Sequence, residues 1–119
     1  MPTHYTLVNH TRREKVTFVH IPAGSKRELA GNSIAAAIST WYHLEHPGDL
    51  IAYVSESGGD WPFPGGSRRD LSGYRDVTDD VVKHLVEADI LRDDGREIFD
   101  ENEPDVYMRR LRNVWMRDT

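Results

Sequence analysis

Apolar positions alternate in two short runs near the start of the chain. Tyr5 and Leu7 separate from Thr6 and Val8, and Val16, Phe18 and His20 separate from Thr17, Val19 and Ile21, with the polar stretch HTRRE between the runs. Such alternation in β-branched and aromatic residues predicts an antiparallel hairpin of residues 4–9 and 15–21. Apolar groups stand on both of its faces, so it is expected to be covered on one side and partly shielded on the other. The period then lengthens. Leu29, Ile34, Ala37, Ile38, Trp41 and Leu44 form a stripe at helical intervals, opened by Ser25 and Glu28 at capping-box spacing and closed by Pro47 and Gly48. Gly31 and Asn32 fall inside that stripe and predict a break, with Asn32 or Ser33 capping a second segment.

Residues 50–55, LIAYVS, are nearly continuously apolar and read as an inner strand. The segment 57–70, SGGDWPFPGGSRRD, sets four glycines and two prolines around Trp61 and Phe63, a composition that excludes helix and central strand. VTDDVVKHLVEADIL returns to a helical period. Thr78 is its expected cap, Asp79 and Asp80 lie in its first turn, and Val81, Val82, Leu85, Val86 and Ala88 form its apolar face. Asp94-Gly95 predicts the two-residue turn of a hairpin inside residues 91–99. Over residues 105–117, Val106 and Met108 alternate with Tyr107, Arg109 and Leu111, which predicts an edge strand, with helix as the alternative. The order β-β-α-β-loop-α-β-β-β describes a single α+β domain over residues 1–119. Its mostly antiparallel sheet has about five to six strands and packs with two helices.

Composition narrows the classes. A chain of 119 residues has the length of one domain and buries a core without covalent staples. It contains no cysteine, which excludes disulfides and thiolate metal sites. The N-terminal stretch has no apolar signal region and no run reaches membrane-spanning length, so a cytoplasmic protein with no membrane contact is expected. The net charge of −5 is unevenly spread: residues 76–105 hold twelve acids against three bases, and residues 106–119 hold four arginines against one acid. A field of that sign repels phosphate backbones and disfavours nucleic acid as partner. VVKHLVEADILRDDGREIF has the helix-then-hairpin order of a winged-helix end, yet a glycine-proline loop precedes it and its wing would be acidic.

Motifs for covalent or metal chemistry are missing from the sequence. It has no G-x-S-x-G elbow, P-loop or G-x-G-x-x-G. In HLEH the residues His43 and His46 stand three apart rather than at the i, i+4 spacing of a helical zinc pair, and DDGREIFDENE is out of phase with a calcium loop. His4, His10 and His20 lie on or beside the first hairpin and converge in only one strand register. No catalytic residue, metal or cofactor is assigned on these grounds, and an enzyme is not the expected reading. Contact chemistry remains. Trp61, Phe63, Arg68, Arg69 and Tyr74 fall within fourteen residues, and Trp, Tyr and Arg are enriched at binding hot spots. Pro62 and Pro64 restrict the backbone around Phe63, so presenting its ring costs less ordering. Trp61 inward and Phe63 outward is the expected arrangement. Asp93, Asp94, Asp100, Glu101, Glu103 and Asp105 form a second candidate surface, an acidic face.

YTLVNHTRREKVTF, TWYHLEHPGDLIAYVSE and DWPFPGGS together resemble a loose group of small uncharacterised bacterial proteins. Those open on a strand ending in Asn-His-Thr and carry an alanine-rich helix followed by a Gly-Asp strand. The resemblance covers about the first half of the chain and brings no activity with it. It implies a stand-alone accessory or immunity-type protein, an acidic binder of a basic partner. The leading expectation is a non-enzymatic protein-binding module. A small-ligand-binding protein or enzyme using a cleft under the 57–70 loop, with Arg68 and Arg69, is the alternative, and a winged-helix-like nucleic-acid binder is the third. The C-terminal edge strand also offers a route to self-association.

Overall fold

A computed structural model describes residues 4–21, 23, 25–56 and 58–115. Strand β1 (Tyr5–Asn9) pairs antiparallel with β2 (Glu14–Val16) on one side and with β3 (Ile51–Ser55) on the other. The two-residue β4 (Arg75–Asp76) adds parallel to β2, giving the order β3-β1-β2-β4. β3 is therefore an edge strand, not the inner strand its apolar run implied. Its apolar residues reflect packing on both faces rather than pairing on both edges: Ile51 meets the helix-side core and Ala52 and Val54 the opposite cluster, while Tyr53 stays partly exposed. β2 ends at Val16 instead of running on to residue 21, because the Thr17 amide donates to Thr78 Oγ1 at 2.9 Å rather than to β1.

Helices α1 (Lys26–Gly31) and α2 (Ser33–Glu45) divide where the Gly-Asn pair predicted. Ser25 and Glu28 form the capping box at the start of α1, and the Asn32 side chain accepts from the Ile34 and Ala35 amides at 2.9 and 3.0 Å. Each such cap contributes about 1 kcal/mol. α3 (Thr78–Glu87) begins differently from expectation. Val77 holds the cap position without a side-chain bond, and the Thr78 hydroxyl instead donates to Asp76 Oδ1 at 2.6 Å while accepting from Thr17. Thr78 thus joins β2, β4 and α3 rather than capping one helix.

Strand alternation sorts the core into two clusters. On the helix face, Leu7 and Val16 meet Ala35, Ile38 and Tyr42 of α2 and Val81, Val82 and Leu85 of α3. On the opposite face, Val8 and Val54 meet Phe63 and Tyr74, with Ala52, Trp61 and Leu71 packed around them. The glycine-proline segment and the 3-10 turn Arg68–Gly73 are therefore the cover of the second sheet face.

β5 (Leu91–Ile98) and β6 (Tyr107–Asn113) form a separate antiparallel pair. Asp94-Gly95 is not its turn. The register passes from Asp93↔Leu111 to Arg96↔Arg109, so both residues sit in a bulge, with Gly95 at φ +103° and its amide donating to Asp93 Oδ1 at 2.9 Å. The left-handed residue bends one strand here because a long partner, β6, continues the ladder past it. Leu91 and Leu111 anchor the base of this hairpin in the helix-side core. The edge strand predicted at the C-terminus is present as Tyr107–Asn113, and its last predicted residues, from 116 on, lie outside the described residues, as does Ser57 at the head of the glycine-proline segment. The architecture is α+β, with six strands among the described residues in two mostly antiparallel sheets. Among the described residues no helix is long and apolar enough to cross a membrane.

Candidate interaction surface

The glycine-proline segment is held from inside. Phe63 is only 9% exposed, inward rather than outward as the sequence suggested, and Trp61 is half-buried against the same core cluster. The cause is His10, at the end of β1. Its ring stacks on Phe63 at 4.9 Å and its Nδ1 shares a 3.0 Å hydrogen bond with the Tyr74 hydroxyl. Trp61 meets Phe63 edge-on at 5.1 Å and donates from Nε1 to the Gly65 carbonyl at 2.7 Å, so its polar end is spent within the segment. Arg68 donates to the Ser55, Gly58 and Gly59 carbonyls at 2.8, 2.9 and 3.2 Å. Five N–H donors in a planar fork suit the clamping of several carbonyls. That use takes the guanidinium away from the small-ligand-binding alternative considered for it. The Ser67 amide goes to Asp70 at 2.8 Å, and Arg69 is exposed. Of the five residues singled out, Phe63 and Tyr74 are interior, Arg68 is a clamp, and Trp61 and Arg69 retain surface.

A second polar assembly was not singled out from sequence. Glu14, buried at the start of β2, accepts from the Tyr42 hydroxyl at 2.8 Å and from Arg75 at 2.5 Å, with His46 Nε2 3.9 Å away. Burial pushes the Glu14 carboxyl up, but the bonds from Arg75 and Tyr42 outweigh it and hold the group below its ordinary value. Burial and the adjacent Glu14 raise the Tyr42 hydroxyl. Beside it, Asn9 donates to Asp49 at 2.9 Å, Arg12 donates to the same carboxylate at 2.7 Å, and the two bonds lower Asp49. Tyr42 lay in the predicted helix but outside its apolar stripe, and Glu14 in a predicted connection, so periodicity gave no sign that they meet. Both Glu14 oxygens are engaged by donors, which makes the group a fastening rather than a proton acceptor.

The histidines are dispersed. His43 and His46 each place Nδ1 against the carbonyl four residues back, at 2.7 and 2.8 Å, which fixes Nδ1 as the donor. His20 belongs to the hairpin: its ring stacks on Tyr107 at 3.7 Å and Nδ1 donates to the Tyr107 carbonyl at 2.9 Å. Among the described residues no group of three or more His, Asp or Glu is arranged to hold a metal.

The acidic face divides in two. Asp94 is neutralised by Arg92 and Arg112 at 3.1 and 2.7 Å, and Asp93 is turned into the bulge. Asp100, Glu101, Glu103 and Asp105 are exposed on the connection between β5 and β6, and no lysine or arginine lies between residues 97 and 108. Three large apolar side chains stand among them: Ile98, Phe99 and Val106 are 53%, 63% and 55% exposed. Lower on the hairpin, Glu97 pairs with Arg110 at 2.9 Å and the Arg96 guanidinium lies 4.5 Å from the Tyr107 ring centre. The hairpin is thus braced along its length and apolar and acidic at its far end. In comparisons with known proteins, no family model, no curated protein and no solved structure matches this chain.

Proposed function

We propose that the protein is a non-enzymatic binding module, of accessory or immunity type, that grips a protein partner through the far end of its β5–β6 hairpin. One observation carries the reading: Ile98, Phe99 and Val106 are each more than half exposed at a hairpin end whose four carboxylates, Asp100, Glu101, Glu103 and Asp105, form no ion pair among the described residues. Exposed apolar groups inside a charged rim are the anatomy of a contact patch, in which a few desolvated side chains supply affinity and the rim supplies rate and selectivity. The partner that fits presents an apolar pocket ringed by lysine or arginine. Salt bridges and the Arg96–Tyr107–His20 contacts brace the hairpin, which lowers the ordering cost of binding.

The test is affinity capture on the full chain from the native extract, with saturation measured against three variants. Wild type and Arg69→Ala should retain the same basic protein. Phe99→Ser, and separately Asp100→Asn with Glu101→Gln, Glu103→Gln and Asp105→Asn, should lose it. Undiminished capture by both hairpin variants would overturn the proposal.

A further inference from the structure

The outer side of β3 is open along most of its length. Between β1 and β3 the Glu56 amide donates to the His4 carbonyl and the His10 amide to the Leu50 carbonyl, both at 2.9 Å. Antiparallel pairing alternates, so Ala52 and Val54 direct their backbone groups to β1 while those of Ile51, Tyr53 and Ser55 turn outward. Arg68 closes the Ser55 end by donating to its carbonyl. Ile51, Ala52 and Tyr53 bring no charge, proline or bulge, the usual guards of an edge. Next to Tyr53 lies a hollow of about 320 Å³ lined by Tyr5, Leu29, Ala30 and Lys26. Lys26 and its exposed neighbour Arg27 form no ion pair among the described residues.

An edge of this kind takes an extended segment with one large apolar side chain followed by carboxylates. The same chain carries those side chains in that order: β5 ends at Ile98, and the exposed Phe99 and Asp100 lead into a turn that begins at Glu101. We infer that the hairpin end of one copy docks on the β3 edge of a second copy, with Phe99 in the hollow and Asp100 and Glu101 facing Lys26 and Arg27. This rests on the reading of the hairpin end as a contact surface, and it adds a consequence: self-association and partner binding compete for the same residues. The two surfaces differ, so the contact is heterologous and extends into a ring or an open chain. One ring and a short strand bury less than a standard interface, which places the assembly at high protein concentration.

Sedimentation velocity on the full chain across a rising concentration series tests it. Wild type should sediment faster as concentration rises. Phe99→Ser removes the end, and Lys26→Glu with Ala30→Glu removes the edge; all three positions are surface sites, and unchanged circular dichroism confirms folding. Each variant alone should associate at least roughly tenfold more weakly. Mixed in equal amounts they should form a one-to-one heterodimer and stop there, because one keeps only the edge and the other only the end. Asp100→Asn with Glu101→Gln is a second end variant and should behave as Phe99→Ser does. A wild type that stays monomeric, variants that associate like wild type, or a mixture that stays monomeric would each overturn the inference. Loss of partner capture in Phe99→Ser alongside a monomeric wild type would overturn the self-contact and leave the proposed function standing.

Discussion

His10 and Phe63 lie face to face, 4.9 Å between ring centroids and 8° from parallel, joining the end of β1 to a segment more than fifty residues later. That stack turns an irregular backbone into a wall of the second core. Phe63→Ala should cost about 3 kcal/mol, the lower range for removing a buried aromatic ring. Trp61→Ala, at a position only partly buried, should cost clearly less. Urea unfolding midpoints check the ranking, and equal losses would show that the segment does not seal the sheet.

Two glycines should respond with opposite sign. Gly66 has φ +73°, and a Cβ there would come within 2.8 Å of Asp70 Oδ2, the acceptor for the Ser67 amide. Gly66→Ala should destabilise by about 1–2 kcal/mol. Gly31 ends α1 with an ordinary φ and open space around the added carbon. Gly31→Ala should stabilise by about 0.5 kcal/mol. Thermal unfolding of the two variants gives both signs directly.

Acid should loosen the Glu14 fastening. Its folded-state value lies below the ordinary glutamate value of ~4.3, so its contribution is complete above that pH and is lost as pH falls through the lower folded value. Asp49 adds in the same direction. At neutral pH, Glu14→Gln should cost about 1–3 kcal/mol through the weakened bonds from Tyr42 and Arg75. The variant should also lose less stability than wild type between about pH 5 and about pH 3. Parallel stability curves for the two proteins would contradict the assignment.

Local signals carried the parts of the fold that local chemistry decides. The Ser25–Glu28 box, the break at Asn32, the helical face Val81–Val82–Leu85 and the C-terminal strand are all readable from neighbouring residues. The misreadings share a different cause: a distant partner overrides the local preference. Thr78 is drawn from capping by Thr17, sixty-one positions away, and Gly95 is drawn from turn to bulge by β6. Phe63 is drawn inward by His10, and the Glu14–Tyr42–Arg75 cluster assembles from three segments that sequence spacing cannot align. For the candidate surface, the acids of residues 100–105 were legible as a cluster. The exposure of Ile98 and Phe99 beside them was not, because alternation cannot tell a free strand end from a buried one.

Arg68 should control the order of the glycine-rich stretch it clamps. Arg68→Ala removes three hydrogen bonds from a charged donor and should lower stability by about 1–2 kcal/mol after solvent repairs part of the loss. Its larger effect should be local. Amide exchange at Gly58 and Gly59 should rise well beyond the change in global stability, and exchange that tracks global unfolding alone would argue against the clamp.

The contact surface itself is tested most directly by hydrogen exchange on the complex with the captured partner. Protection confined to residues 97–107 of the hairpin, with the 58–67 segment unchanged, is the predicted footprint. Protection over 58–67 with the hairpin unaltered would contradict it.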